Sequence, residues 1–192
     1  PDTYSISDSV QKVLAAKTEK LDGNLIIANA EALELTAPAP APISFADMIF
    51  LARNVTSFPD NVPMNVADDA QTLHAASDSE DATIRLALYD ADKLTFSDDS
   101  FVSISQLREF MSLKQFDLSG SSFELRDNST NILGLLKSNA SDKSAILDGA
   151  EGLKLTDSSA TTFSVDDVSL LLSKSVAMPN GYNVSDLASE IQ

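Results

Sequence analysis

Two clusters of acidic side chains are the feature of the sequence that most directly suggests chemistry. The first lies within ten residues and consists of Asp90, Asp92, Asp98 and Asp99. A second, at residues 78–81, holds three more acids. Ca²⁺ requires several oxygen ligands around one point, and carboxylates on loops supply them. The sequence therefore predicts a candidate calcium site in the first cluster, although its spacing is not that of an EF-hand. The alternative is a solvated loop.

The single histidine, His74, is the next candidate. It stands where the related segments of the chain have Leu14 and Leu133, which predicts a partly buried helix residue without a catalytic role. A Ser-His-Asp relay stays open, but no nucleophile-elbow motif supports it. Asp166 and Asp167 could be a glycosidase pair, yet adjacent residues early in a helix point apart. We therefore predict that the protein is not an enzyme.

A short sequence motif recurs every 59 or 60 residues. It consists of alternating apolar and polar residues and ends in an aspartate. The four aspartates are Asp8, Asp68, Asp127 and Asp186. Each follows a short apolar strand pattern and precedes an apolar helical period. An aspartate at such a boundary can accept the unpaired N–H groups of the first helical turn. These four residues are the predicted N-caps of the first helix of each unit.

A second helix start recurs later in each unit. It is preceded by an alternating strand pattern, "ALELT", "KLTFS" or "GLKLT". The predicted N-caps of this second helix are Ser44, Ser103 and Ser164. Each serine lies three residues before Asp or Gln, which is the spacing of a capping box.

Self-similarity at a fixed period predicts a repeat architecture. Each period is consistent with the order strand, helix, strand, helix, strand. A single unit of about 60 residues is too small to bury the apolar faces of all these elements by itself. We therefore predict an α/β repeat, solenoid-like, with three such units stacked and a partial fourth. The predicted boundaries are 1–63, 64–122 and 123–181 for the repeats, with 182–192 as a partial repeat or C-terminal cap. The start at Pro1 rather than Met predicts a processed product or a fragment of a longer array.

Charge narrows the choice of partners. Twenty-nine acidic residues against thirteen basic ones give a net charge of −16. Such a polyanion repels nucleic acid and anionic lipid, so neither is an expected partner. The chain has no cysteine, which excludes disulfides and thiolate metal sites. It has no apolar run long enough to predict direct membrane insertion.

The phrases "ISDSVQKVL", "ALELT" and "ISFADM" resemble the repeats of about 60 residues in large exported bacterial surface proteins of the RTX or hemolysin-like type. Those repeats open on V-x-D-[ST]-A-x-N-L and carry an L-x-L-[ST] strand near the middle. The resemblance covers nearly the whole chain. It implies secretion to the bacterial cell surface and a structural or adhesive role. The glycine-rich calcium nonapeptides of such proteins are absent here.

The sequence thus predicts a non-enzymatic, self-assembling segment of a cell-surface or extracellular protein, in a surface layer, filament or adhesin stalk. Its expected partners are copies of itself or neighbouring repeats of a longer chain. The alternative is a carbohydrate- or calcium-binding module of a larger secreted enzyme or toxin. Such a module needs an unrepeated polar site, expected at residues 78–81 or in the "APAPAP" insertion, and its ligand would be calcium or a surface glycan.

Overall fold

The computed structural model describes residues 4–18, 27, 29–56, 58–97, 100–158 and 161–185. The chain divides into two compact units. The first comprises Pro1–Asp68, Thr72–Thr95 and Gln115–Asp117. The second comprises Asp69–Gln71, Phe96–Lys114 and Leu118–Gln192. No helix in the described part of the chain is long and apolar enough to cross a membrane.

Short strands and helices alternate along the first half of the chain. In order, these elements are β1 (Ser5–Asp8), α1 (Val10–Thr18), β2 (Ala32–Leu35), α2 (Phe45–Asn54), β3 (Asn65–Asp68), α3 (Ala70–Ser77), α4 (Ala82–Tyr89) and β4 (Lys93–Phe96).

The second half has a similar order. It contains β5 (Ser100–Val102), α5 (Ile104–Met111), a 3₁₀ turn at Leu118–Gly120, β6 (Phe123–Asp127), α6 (Ser129–Lys137), α7 (Lys143–Gly149), β7 (Gly152–Leu155), β8 (Thr162–Phe163), α8 (Val165–Ser173) and β9 (Asn183–Val184).

The strands of the described residues form four small sheets. β1 pairs with β2 in parallel, with Ile6 opposite Leu33. β3 pairs with β4. β6 lies between β5 and β7, both parallel to it, and β8 pairs in parallel with β9. Helical crossovers separate β1 from β2 and β6 from β7, because a parallel pair needs a long connection.

The predicted solenoid of stacked units is wrong. The sheets contain two or three strands each and remain separate, so no continuous hydrogen-bonded ladder runs through the described residues. The physical reason is that a recurring phrase dictates recurring local elements, whereas the joining of sheets depends on pairing between strands that are distant in sequence. The structure is a small α/β protein with several short parallel sheets.

The order of elements inside each predicted unit also differs from the expectation. Two helices, α6 and α7, lie between β6 and β7 where we predicted one. The predicted third strand is reduced to isolated bridges, Leu94 with Phe116 and Lys154 with Ala177. A single bridge forms because turn residues follow these apolar segments directly. β5 and β8, which the sequence did not predict, lie just before the helices that start at Ser103 and Ser164.

Apolar residues at helical and strand spacing build the core of each unit. In the first unit Phe45, Met48 and Leu51 recur every three residues along α2 and are almost completely buried. In β2, Leu33 and Leu35 are buried while Glu34 between them is exposed, as expected for a half-buried strand.

The core of the second unit centres on three aromatic rings. Phe96 packs edge-on against Phe110 at 5.0 Å and against Phe123 at 5.9 Å. All three are at most 2% exposed. Edge-to-face contacts add to the hydrophobic gain of burying such rings, so this cluster holds Phe96, α5 and β6 around one point.

Candidate functional site

The serines predicted as second-helix caps lie at the N-caps of α2, α5 and α8. Each side chain accepts a hydrogen bond from the backbone N–H of the third helical residue, over 3.1–3.2 Å. In α5 the bond is reciprocal, since the side chain of Gln106 accepts the N–H of Ser103 at 3.1 Å. These hydroxyls are thus engaged in helix initiation.

The aspartates predicted as first-helix caps occupy a different place. The N-cap of α6 is Asn128, whose side chain accepts the N–H of Asn131 at 2.9 Å. Asp127 is instead the last residue of β6, as Asp68 is of β3 and Asp8 of β1. The assignment is off by one residue because another capping residue follows each of these aspartates, and the helix begins after the second. Asp186, the fourth predicted cap, lies outside the described residues.

Two of the end-of-strand aspartates bond to a helix that precedes them in sequence. Asp68 Oδ2 accepts the N–H of Phe45 at 2.9 Å, and Asp127 Oδ2 accepts the N–H of Ile104 at 3.0 Å. In both cases the donor lies 23 residues earlier and is the first residue of a serine-capped helix. The carboxylate therefore satisfies an N–H that no residue within the helix can bond, and its charge complements the helix dipole.

Asp127 is the most deeply placed of these carboxylates. Its side chain is buried, with the residue 7% exposed. Oδ1 accepts the N–H of Asn128 and the amide Nδ2 of Asn131, both at 2.8 Å. Three hydrogen bonds thus hold this carboxyl group between β6, α5 and α6, which offsets the cost of burying it.

Two further carboxylates accept backbone N–H groups from distant residues. Sequence reasoning did not single out Asp157, and it assigned Asp92 to the calcium cluster instead. Asp157 accepts both the N–H of Ser129 at 2.6 Å and its hydroxyl at 2.8 Å. Asp92 Oδ2 accepts the N–H of Met64 at 2.7 Å. Both partners lie 28 residues away. No local pattern in the sequence marks a pairing over that distance.

The predicted calcium cluster is only partly assembled in the described residues. Asp98 and Asp99 lie outside them. Asp90 and Asp92 line an open depression of 280 Å³ with Asp60. Their oxygens do not converge, within the described part of the chain, into a three-ligand group. The carboxylate of Asp92 is already bonded to Met64, so the depression is acidic but not preorganised around one point.

His74 lies on α3, and its Nε2 is 3.7 Å from Asp78 Oδ2, one helical turn on. A histidine nitrogen beside a carboxylate oxygen suits a transition metal better than calcium, which prefers oxygen alone. This pair thus differs in both place and chemistry from the predicted calcium cluster.

Ion pairs join helices that are distant in sequence and shift carboxyl pKa values. Lys17 in the last turn of α1 contacts Asp47 at 2.7 Å, and Lys137 in the last turn of α6 contacts Asp167. Burial raises the pKa of Asp47, but hydrogen bonds from Lys17 and Ser44 outweigh it and leave the pKa below its ordinary value. The hydrogen bond from Lys137 is the main cause of the lowered pKa of Asp167. Both carboxylates are therefore ionised structural partners.

A third pair joins α5 to the start of α7. The Arg108 guanidinium donates to both carboxylate oxygens of Asp142, at 2.6 and 3.4 Å. This hydrogen bonding lowers the pKa of Asp142 and raises the pKa of Arg108. Because both groups are near the surface, the pair contributes little free energy.

No protein-family model, curated protein or solved structure matches the chain. The resemblance to exported repeat proteins therefore stays a prediction.

Proposed function

We propose that the chain is a non-enzymatic structural segment of a secreted or bacterial cell-surface protein, and that it associates with copies of itself. The observation that carries this proposal is that the recurring carboxylates stabilise helix N-termini. Asp68 and Asp127 hold equivalent positions at strand ends and each accepts the first N–H of a helix. Their regular recurrence has a structural explanation that needs no substrate.

Because these carboxylates are already hydrogen-bonded within the protein, they are poor candidates for catalytic residues. A general base or nucleophile needs a lone pair that can reach a substrate. Both oxygens of Asp127 already accept bonds from the protein, and the three capping serines are engaged with helix N-termini. The residues that recur are thus those that shape the fold.

Open strand edges offer a means of self-association. Within the described residues β9 pairs with β8 alone. The N–H groups of Asn183 and Ser185 donate to the carbonyls of Thr161 and Phe163, just before and within β8, so the N–H of Val184, between them, points to the opposite edge. Val184 is 48% exposed. Such an edge can pair with a strand of another chain.

Net charge determines when this contact forms. At −16 the copies repel one another at low ionic strength. Divalent cations or added salt reduce the repulsion, so we expect association to increase with either.

The decisive experiment is light scattering coupled to size exclusion, over a range of protein concentrations, with and without millimolar calcium. We expect the mass to rise above the 20.5 kDa of a single chain as concentration increases. Val184→Pro removes the outward N–H and leaves the bonds to β8 in place, so it should keep the monomer mass. Val184→Thr retains the N–H and is the matched control. A wild-type protein that stays monomeric under every condition would overturn the proposal.

A second candidate, a calcium-binding module, is favoured by the depression that Asp60, Asp90 and Asp92 line. Three carboxylates around an open depression could gather further oxygen ligands when calcium binds. Calorimetric titration with calcium distinguishes the two proposals. Saturable binding by a monomer that Asp90→Asn abolishes would favour the module over the self-associating segment.

A further inference from the structure

The second unit contains a pocket of 610 Å³ that neither the repeat nor the proposed function uses. It opens beside α7 and the segment that joins α6 to α7. Leu147 and Leu153 supply its apolar wall. Its polar lining includes Lys143, Lys174 and Asp148. Its volume is in the range of pockets that take small molecules.

The lysines of this pocket differ from most basic residues of the protein. Elsewhere, seven of the ten described basic residues are held in ion pairs with carboxylates: Lys12, Lys17, Arg53, Lys93, Arg108, Arg126 and Lys137. Arg85, Lys114 and Lys154 are not, among the residues that the structure describes. Lys143 and Lys174 have no such carboxylate partner in the described part of the chain. In a protein of net charge −16, two ammonium groups left without a counterion at one pocket are available to an anionic ligand.

Lys143 is held in position by the end of α6. Its Nζ donates to the carbonyl of Leu136 and, at 3.2 Å, to that of Ser138. An ammonium group has three N–H donors, so one is left for a ligand. Lys174, at the C-cap of α8, is exposed and makes no hydrogen bond through its side chain to the described residues. One cation is thus preorganised and the other is free to close on a ligand.

The remaining lining suits hydroxyl groups. Ser144 Oγ donates to Asp148 Oδ2 at 2.9 Å, which orients the serine oxygen as an acceptor and leaves Oδ1 of the aspartate with acceptor capacity. A carboxylate at this position repels a compact dianion such as phosphate. It accepts hydrogen bonds from sugar hydroxyls.

We propose that this pocket binds an acidic sugar, a monosaccharide or chain end that carries one carboxylate. The sugar carboxylate bonds to Lys143 and Lys174, its hydroxyls bond to Ser144 and Asp148, and the C–H face of the ring packs on Leu147 and Leu153. This inference goes beyond the proposed function and does not depend on it, because the contacts lie within one unit and require no assembly.

The test is titration of the folded chain with glucuronate, followed by two-dimensional NMR of backbone amides, with methyl glucoside and inorganic phosphate as comparison ligands. We expect saturable glucuronate shifts at residues around the pocket and weaker binding of both comparison ligands. Lys174→Gln should weaken glucuronate binding about tenfold, since it removes a charged hydrogen bond. Lys114→Gln makes the same charge change at an exposed lysine away from the pocket and should alter the affinity less than about twofold.

Three results would overturn the proposal. Equal binding of phosphate would show a simple anion site, and equal binding of methyl glucoside would show that the lysines do not select charge. Absence of shifts with glucuronate in a folded protein would remove the site altogether. None of these results alters the concentration dependence of light scattering, so a failure here is distinguishable from a failure of the proposed self-association.

Discussion

At the scale of single residues, carboxylates are the most informative groups in this protein. They accept hydrogen bonds from residues that are distant in sequence, and the separation between the partners is similar from one carboxylate to the next. Asp127 illustrates this, since one buried carboxylate accepts bonds from Ile104, Asn128 and Asn131. Removing it leaves two backbone donors without their acceptor, which costs more than the loss of a surface cap.

We predict that Asp127→Ala lowers the free energy of unfolding by about 2–4 kcal/mol, because hydrogen bonds to a charged and buried group are among the stronger ones. The matched control is Asp166→Ala, at an exposed position in the first turn of α8, which should cost less than about 1 kcal/mol. Urea unfolding of both variants measures the difference. Equal midpoints for the two would show that the three hydrogen bonds contribute nothing particular to Asp127.

At the scale of elements, ion pairs link the C-terminal turn of one helix to the N-terminal turn of a later helix. Lys17 of α1 contacts Asp47 in the first turn of α2, and Lys137 of α6 repeats the arrangement with Asp167 of α8. In both pairs 30 residues separate the partners. A lysine near a helix C-terminus and an aspartate near a helix N-terminus each also complement the helix dipole.

The pair between α1 and α2 predicts a specific dependence on pH. The pKa of Asp47 is lower in the folded state than its ordinary value. It therefore stabilises the fold above the carboxyl pKa of the unfolded chain, near pH 4, and that contribution is lost as pH falls through the folded pKa. We expect Lys17→Gln to lower the stability at pH 7 by less than about 1 kcal/mol, because the pair is about one-third exposed.

The same substitution should have no effect at a pH well below the folded pKa of Asp47, where the carboxyl is neutral. Thermal melts of wild type and Lys17→Gln between pH 7 and the acid limit of folding test this expectation. A difference in melting temperature that persists unchanged into acid would assign the stabilisation to the packing of the lysine stem on Phe50, over whose ring its ammonium lies at 5.1 Å.

At the scale of the whole molecule, charge is the dominant property. The chain has 29 acidic and 13 basic residues, which leaves 16 acids without a basic counterpart. The native state therefore carries self-repulsion that the expanded chain relieves. The local pairs near the surface contribute little by comparison. The free energy of unfolding should therefore increase with added salt, because salt screens the repulsion among the acids. It would decrease if attraction within the ion pairs were the larger effect.

We predict that an increase in sodium chloride from low to physiological ionic strength raises the melting temperature by about 2–4 °C, the shift that accompanies roughly 1 kcal/mol in a protein of this size. Differential scanning calorimetry at neutral pH measures it. A melting temperature that falls with salt would mean that attraction within the ion pairs outweighs the repulsion among excess acids.

The sequence by itself determined part of the local structure, although it did not predict β5, β8 or the second helix between β6 and β7. Ser44, Ser103 and Ser164 were placed at helix starts because capping joins residues three apart, and the burial of Leu33 and Leu35 followed from alternation within one strand. Where two capping residues adjoin, as at Asp127 and Asn128, sequence reasoning missed the true cap by one residue. Such errors stay small because local rules leave only one or two candidates.

Only the tertiary structure decided which distant residues meet. The self-similar phrase does not specify whether the sheets join, and within the described residues they remain separate. Nor does it specify that Asp127 bonds to Ile104, or that Lys143 and Lys174 line one pocket. The physical reason is the separation of the partners along the sequence. Periodicity and capping act between residues a few positions apart. These contacts join residues 23 to 31 positions apart and depend on the path of the chain between them.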